Sequence, residues 1–120
     1  MYQHINHATM VTILEEARIP FLREPFGAEI TTIGLLIHEV NILYKGQLRL
    51  IDSPLQVTMW STRVRAVDFT IGYEVRPVHA SPDTKPSVIA ETQLAAVHIE
   101  EQRLQRLSEE QREYLQRWLR

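Results

Sequence analysis

Two imidazoles and a carboxamide stand close together near the start of this chain, in His4-Ile5-Asn6-His7. They lie within the run Gln3–Met10, which leads straight into the apolar-periodic segment Val11–Leu22 carrying Leu14-Glu15-Glu16-Ala17-Arg18. Side chains of these types can orient a carbonyl substrate or shuttle a proton, because imidazole titrates near neutral pH at an ordinary pKa of ~6.5. A helix that begins at this turn adds unpaired backbone N–H groups and the positive end of its dipole. Both suit a developing oxyanion.

The elements that must position these groups follow from periodicity. Met10, Ile13, Leu14, Ala17 and Phe21 recur at helical spacing over His7–Glu24, and that stripe predicts a helix with one buried face. Pro20 removes a backbone donor and crowds the carbonyl of Glu16, so a kink or an early end is expected there; Pro25-Phe26-Gly27 closes the element. Residues 28–33 form a connector. Gly34–Leu48 predicts a long strand, with Leu36, His38, Val40, Ile42 and Tyr44 on one face and Leu35, Ile37, Glu39, Asn41 and Leu43 on the other. Asp52-Ser53-Pro54 supplies a turn. Leu55–Ala66 and Asp68–Val78 alternate with almost no gap between them, which implies an antiparallel hairpin. A solvated loop over His79–Pro86, the likeliest mobile one, precedes a last long strand over Ser87–Glu100. Ser108-Glu109-Glu110-Gln111 then reads as a capping box, opening a helix with the apolar stripe Tyr114, Leu115, Trp118 and Leu119. The fold class is α+β: a long antiparallel sheet wrapped around one central helix, with a C-terminal helix after it.

Composition bounds the function classes. The chain has 120 residues, the length of a single domain over 1–120 that can bury a core without staples. A net charge of -2 gives no reason to expect nucleic acid or an anionic membrane as partner. The absence of cysteine excludes disulfides, thiolate catalysis and cysteine metal sites. No apolar run is long enough to span a membrane and no signal peptide opens the sequence, so the expected place is the cytoplasm.

His4-Ile5-Asn6-His7 followed by Glu15-Glu16-Ala17-Arg18 resembles the opening motif of the hot-dog-fold acyl-CoA thioesterases, in particular the 4-hydroxybenzoyl-CoA thioesterase type. Tyr44, Asp52 and the pair Asp68-Phe69 match later features in order, so the resemblance spans nearly the whole chain. There are departures. The family's glycine falls on Gln3, one branch's tyrosine on Met10, and the proline of the second strand on Gln47. Its catalytic aspartate, and the first strand that carries it, would fall upstream of Met1. The resemblance implies hydrolysis of an acyl-CoA thioester, with CoA as part of the substrate and no separate cofactor. Its implied site residues are His7 and His4, aligned with histidines of two branches, Asn6 holding the turn or the acyl carbonyl, and Glu15 as the nearest carboxylate. It also implies a homodimer or homotetramer with sites built between subunits.

Each residue has a plainer role open to it. His4 and His7 near a terminus are equally at home as solvated groups, Asn6 as a helix cap, and Glu15 with Arg18 as an i,i+3 pair worth ~0.3 kcal/mol. His38 and His98 sit among apolar neighbours, as satisfied core histidines do. No histidine pair has metal-ligand spacing on a confident helix. Arg63 and Arg65 share a strand face and could meet the phosphates of CoA, or only solvent. Met10, Ile13 and Leu14 would line an apolar tunnel for a medium or long aliphatic chain. Besides hydrolysis, a hot-dog protein that binds acyl-CoA or only assembles remains open, and more weakly a dehydratase of the same fold.

Overall fold

The computed structural model describes residues 5–27, 33–46, 48–49, 54–81 and 83–120. Gln3, His4, Gln47, Asp52, Ser53 and Pro82 lie outside the described residues. The elements are α1 (His7–Phe26), β1 (Ile33–Tyr44), β2 (Leu55–Val64), β3 (Asp68–Pro77), β4 (Val88–His98), the two-residue β5 (Arg103–Leu104) and α2 (Glu109–Arg117).

Helix α1 starts where a capping side chain allows it. The Asn6 carboxamide oxygen accepts from the Thr9 N–H at 2.9 Å and so satisfies one of the donors that a helix start leaves without a partner. The buried residues are Met10, Leu14, Arg18, Leu22 and Phe26, a row of i+4 steps. Ile13, Ala17 and Phe21 of the expected stripe flank that row and are only half-buried. A 3.6-residue turn makes an i+4 row wind slowly around the axis, which suits a helix lying across a twisted sheet.

Of the kink or early end expected at Pro20, the early end does not occur: α1 continues through Pro20 and closes at Pro25-Phe26-Gly27, its last residue Phe26. Each proline leaves one carbonyl a turn back without its helical donor. For Pro20 that carbonyl belongs to Glu16, an exposed residue within reach of solvent. For Pro25 it belongs to Phe21, and the Tyr114 hydroxyl of α2 donates to it at 2.6 Å.

The sheet has the order β1-β4-β3-β2, with every neighbouring pair antiparallel and β5 paired with β4 at Val97 and His98. The β2–β3 hairpin is the one the sequence implies. Two register shifts modify the strict alternation, between Ile37 and Glu39 in β1 and between Ser61 and Arg63 in β2. Past His38 the faces of β1 exchange. Leu35 and Ile37 pair with Ala96 and Leu94, while Val40, Ile42 and Tyr44 pair with Thr92, Ala90 and Val88. Those partners are buried on the side of the sheet that faces α1, so Leu35, Ile37, Val40, Ile42 and Tyr44 share that face. Leu36 lies on the other, contrary to the simple alternation.

The core lies between α1 and the sheet. Met10, Leu14, Leu22 and Phe26 cluster with Phe69, Ile71, Tyr73, Val75, Val88, Ala90 and Leu94, and Phe26 stacks on Phe69 at 5.6 Å between ring centroids. On the opposite face Gly72 admits the Trp60 indole: a Cβ there would sit 2.7 Å from two atoms of that ring.

Helix α2 opens with the expected capping box, its Ser108 and Gln111 side chains each bonding the other's backbone N–H. Tyr114 and Leu115 are buried, but Trp118 and Leu119 lie past the end of α2 and are exposed. They belong to a short tail that runs along β2. The Ser61 N–H donates to the Trp118 carbonyl at 2.9 Å, and the Arg120 N–H donates to the Ser61 carbonyl at 3.0 Å. The Arg120 guanidinium caps the Trp60 ring at 4.3 Å. Among the described residues no helix is long and apolar enough to cross a membrane.

Candidate functional site

His7 is the first residue of α1, and the end of β1 meets it there. Its Nδ1 shares a hydrogen bond of 2.8 Å with the Tyr44 hydroxyl, and the two rings meet edge to face at 6.0 Å. Partial burial pushes the Tyr44 phenol above its ordinary value of 10.0, so it stays neutral and able to bond imidazole. When Nδ1–H donates to the Tyr44 oxygen, Nε2 is left as a proton acceptor.

The backbone N–H groups of His7 and Ala8 head the helix, where no helical carbonyl lies one turn back to accept them. The first turn of α1 itself contains no acidic side chain that would neutralise the positive end of the helix dipole. An imidazole and the N–H groups of a helix N-terminus therefore share one corner of the fold. Asn6 holds this corner in shape through its cap on Thr9.

Glu15 is not part of that corner. Eight residues of helix separate it from His7, roughly 12 Å of axial rise. It lines instead a cavity of about 440 Å³ between the C-terminal half of α1 and the start of β1, with an apolar wall of Leu22, Phe26, Leu35, Ile37 and Leu94. Met10 and Leu14, expected beside a tunnel, are sealed in the core at 1% exposure each.

Arg18 also lines this cavity and is 8% exposed. It forms no ion pair with Glu15; its Nη1 contacts the Tyr73 hydroxyl at 3.5 Å. The sequence places Arg18 in the family motif and as a partner for Glu15, but not in the core. The signal was its place in the row Met10–Leu14–Arg18–Leu22–Phe26.

Arg63 and Arg65 are not brought to His7. Arg63 pairs with Thr70 on the sheet face away from α1, beside Glu39 and Glu91 in a small polar recess. Arg65 lies beyond β2 in the turn, where it is ion-paired to Asp68 at 2.8 Å. That turn is level with Leu35–Ile37, at the end of the sheet remote from Tyr44. His4 lies outside the described residues. His38 is the extra residue of the β1 irregularity and is exposed, and His98 accepts from the Glu101 N–H at 3.2 Å. Among the described residues no group of three His, Asp or Glu side chains is placed to hold a metal ion.

β1 stands at one end of the sheet and, among the described residues, pairs only with β4. Leu36, Ile37, Val40, Leu43 and Tyr44 are each between 41% and 57% exposed along it. An unpaired strand edge carrying that much apolar surface is a template for association.

Comparison with known proteins gives a consistent answer at the level of fold. No protein-family model matches the sequence, and no curated protein does. Solved structures do. The PA5185 protein of Pseudomonas aeruginosa superposes with a TM-score of 0.84 at 15% identity, over 99% of this chain and 82% of its own. YbaW, a probable thioesterase from Escherichia coli, gives 0.81 at 23% identity, over 100% of this chain and 90% of its own. The hypothetical protein SAV2348 from Staphylococcus aureus, solved in complex with CoA, gives 0.81 at 12% identity, over 98% and 74%. The antiparallel sheet wrapped around α1, with α2 closing the chain, is the hot-dog fold that the opening motif leads one to expect, and these proteins share it.

Proposed function

We propose that this chain is an acyl-CoA thioester hydrolase, releasing a carboxylic acid and free CoA. The observation that carries this reading is the His7–Tyr44 hydrogen bond at an acid-free helix N-terminus. In the proposed reaction, His7 Nε2 takes a proton from water as the oxygen attacks the thioester carbon. The first-turn N–H groups of α1 hold the negative charge that gathers on the carbonyl oxygen. The C–S bond then breaks, and the imidazolium returns its proton to the departing CoA thiolate. Each proton is accounted for, and no cofactor beyond the substrate's own CoA is needed. The fold's occurrence in YbaW and in the CoA-bound SAV2348 supports the substrate class.

The working unit in this proposal is two copies paired antiparallel along the apolar edge of β1, alone or within a tetramer, in the cytoplasm. Pairing about the middle of β1 would bring the His7–Tyr44 end of one copy beside the Gly34–Ile37 end of the other. The base of one copy then stands at the mouth of the other's apolar cavity, near Glu15. Arg63 and Arg65 remain candidates for CoA phosphates only in such an assembly.

A second reading is an acyl-CoA binder that does not hydrolyse. It is favoured by the lack of any acidic side chain in the first turn of α1 and by the distance of Glu15 from His7. Thiol release from a panel of acyl-CoAs separates the two, and because the chain has no cysteine, a thiol-reactive dye sees only freed CoA. Hydrolysis that falls about 100-fold or more in His7→Ala supports the proposal. Tight acyl-CoA binding with no release moves the assignment to the binder. Turnover unchanged in His7→Ala would exclude His7 as the base.

A further inference from the structure

Arg18 sits where an arginine should be costly. A guanidinium is charged at every accessible pH, and a buried charge is tolerated when ion-paired or richly hydrogen-bonded. Arg18, more than nine-tenths buried, has among the described residues one neutral partner at the outer limit of hydrogen bonding, the Tyr73 hydroxyl at 3.5 Å. Glu15, three residues away, forms no ion pair with it. Among the described residues its Nε and Nη2 have no hydrogen-bond partner. Arg18 is one of the residues that line the cavity. That cavity has the size of a small-molecule site and an otherwise apolar wall. Arg23 also borders it, so among the described lining residues the arginines outnumber the carboxylate of Glu15, which is exposed and screened by solvent.

We propose that this cavity takes an aliphatic acyl chain whose far end carries a carboxylate, and that Arg18 is the residue that reads it. The chain's methylenes lie against Leu22, Phe26, Leu35, Ile37 and Leu94, and its terminal carboxylate supplies the acceptor that the guanidinium lacks. A two-pronged carboxylate matches the planar fork of an arginine better than a single hydroxyl does. The substrate class is then the mono-CoA thioester of a dicarboxylic acid. This deepens the thioesterase reading and depends on it for the CoA end, whereas recognition of the carboxylate depends on the cavity alone. A free fatty acid bound head-first would present the same chemistry to Arg18, and the choice of probes separates the two.

The test compares decanoyl-CoA with sebacoyl-CoA, equal in chain length and differing only in the terminal carboxylate, by calorimetric binding and by thiol release. Free decanoate is the third probe. The expected result is binding of sebacoyl-CoA about tenfold or more tighter than decanoyl-CoA, a preference erased in Arg18→Met. Arg18→Met should keep or raise the melting temperature, because it replaces an under-paired buried charge with an apolar side chain of similar reach. Arg18→Lys should retain part of the preference. Equal binding of the two thioesters by the unmodified protein would overturn the proposal. So would an Arg18→Met variant that melts lower and weakens both thioesters alike, which is the mark of a purely structural arginine. Competition by free decanoate that vanishes in Arg18→Met, without preference for sebacoyl-CoA, would also overturn it, in favour of head-first fatty-acid binding. Preference without thiol release would leave the carboxylate reader standing and remove only the hydrolase.

Discussion

Replacing Tyr114 by phenylalanine removes one oxygen atom and tests how a helix containing two prolines is held. The hydroxyl donates at 2.6 Å to the Phe21 carbonyl, which Pro25 deprives of its helical donor. The ring itself stays useful, because its edge-on contact with Phe21, 5.7 Å between centroids, does not need the oxygen. A buried acceptor left unsatisfied costs ~1–3 kcal/mol. Tyr114 is buried but Phe21 only half so, which places the expected loss at about 1–2 kcal/mol. For a chain of 120 residues that is a fall in melting temperature of about 4–8 °C. Urea unfolding should show a lower midpoint at unchanged slope. The decisive arm is the double-mutant cycle with Pro25→Ala. Alanine restores an N–H one turn from Phe21, so Tyr114→Phe should cost less than half as much there, a coupling of about 1 kcal/mol. Equal costs in the two backgrounds would refute the reasoning, because the hydroxyl would then be serving something other than the orphaned carbonyl. The outcome bears on function, since the same stretch of α1 carries Leu22 and Phe26 of the cavity wall.

Gly72→Ala should destabilise by roughly 1–3 kcal/mol, because the new methyl would sit 2.7 Å from the Trp60 ring and 2.9 Å from the Thr62 methyl. In a Trp60→Leu background much of that cost should vanish, as read by urea unfolding; an undiminished cost would point to the Thr62 methyl instead. For Tyr44, burial favours the protonated phenol, so the folded chain holds that proton to higher pH than the unfolded chain. The linked stability is complete below the ordinary value of 10.0 and is lost as pH rises through the higher folded value. The ultraviolet difference titration between the unmodified protein and Tyr44→Phe should therefore have its midpoint above 10.0, and one at or below it would contradict the burial argument.

Patterns with a short period were legible in the sequence. The capping box at Ser108, the β2–β3 hairpin and the helix beginning after Asn6 all rest on contacts within a few residues, and each is found where its chemistry puts it. What escaped depends on partners far along the chain. Pro20 reads as a kink or an early end because propensity alone cannot show that the carbonyl it orphans, that of Glu16, belongs to an exposed residue, whereas the closure at Pro25-Phe26-Gly27 is found, with Tyr114 serving the Phe21 carbonyl from far along the chain. Arg18 reads as a motif residue and as half of an i,i+3 pair because Glu15 stands at the right spacing; only the sheet across from it makes it a buried charge. The His7–Tyr44 contact joins residues 37 apart. Tyr44 was singled out by resemblance to a family motif, while its hydrogen bond to His7 had no local signature. Arg63 and Arg65 alternate as if on one face, yet β2 ends at Val64 and the second arginine belongs to the turn.

The extra residues at His38 and Thr62 repay a closer look. Leave His38 out of β1 and the remaining chain, Leu35-Leu36-Ile37-Glu39-Val40-Asn41-Ile42, alternates without a fault between the helix-facing side and the other. Leave Thr62 out of β2 and Met59-Trp60-Ser61-Arg63-Val64 does the same. Neither residue is needed to sort side chains between the faces, so each is free to serve shape. An unpaired residue bends its strand and increases the local twist, and here one falls on each of the two outermost long strands of the sheet. The curl of the sheet around α1 is thus written in the count of residues along a strand, and the apolar content of the core in their kinds. A one-residue gap at 38 or 62 in an alignment with a flatter sheet would mark a change of curvature that leaves every core position in place.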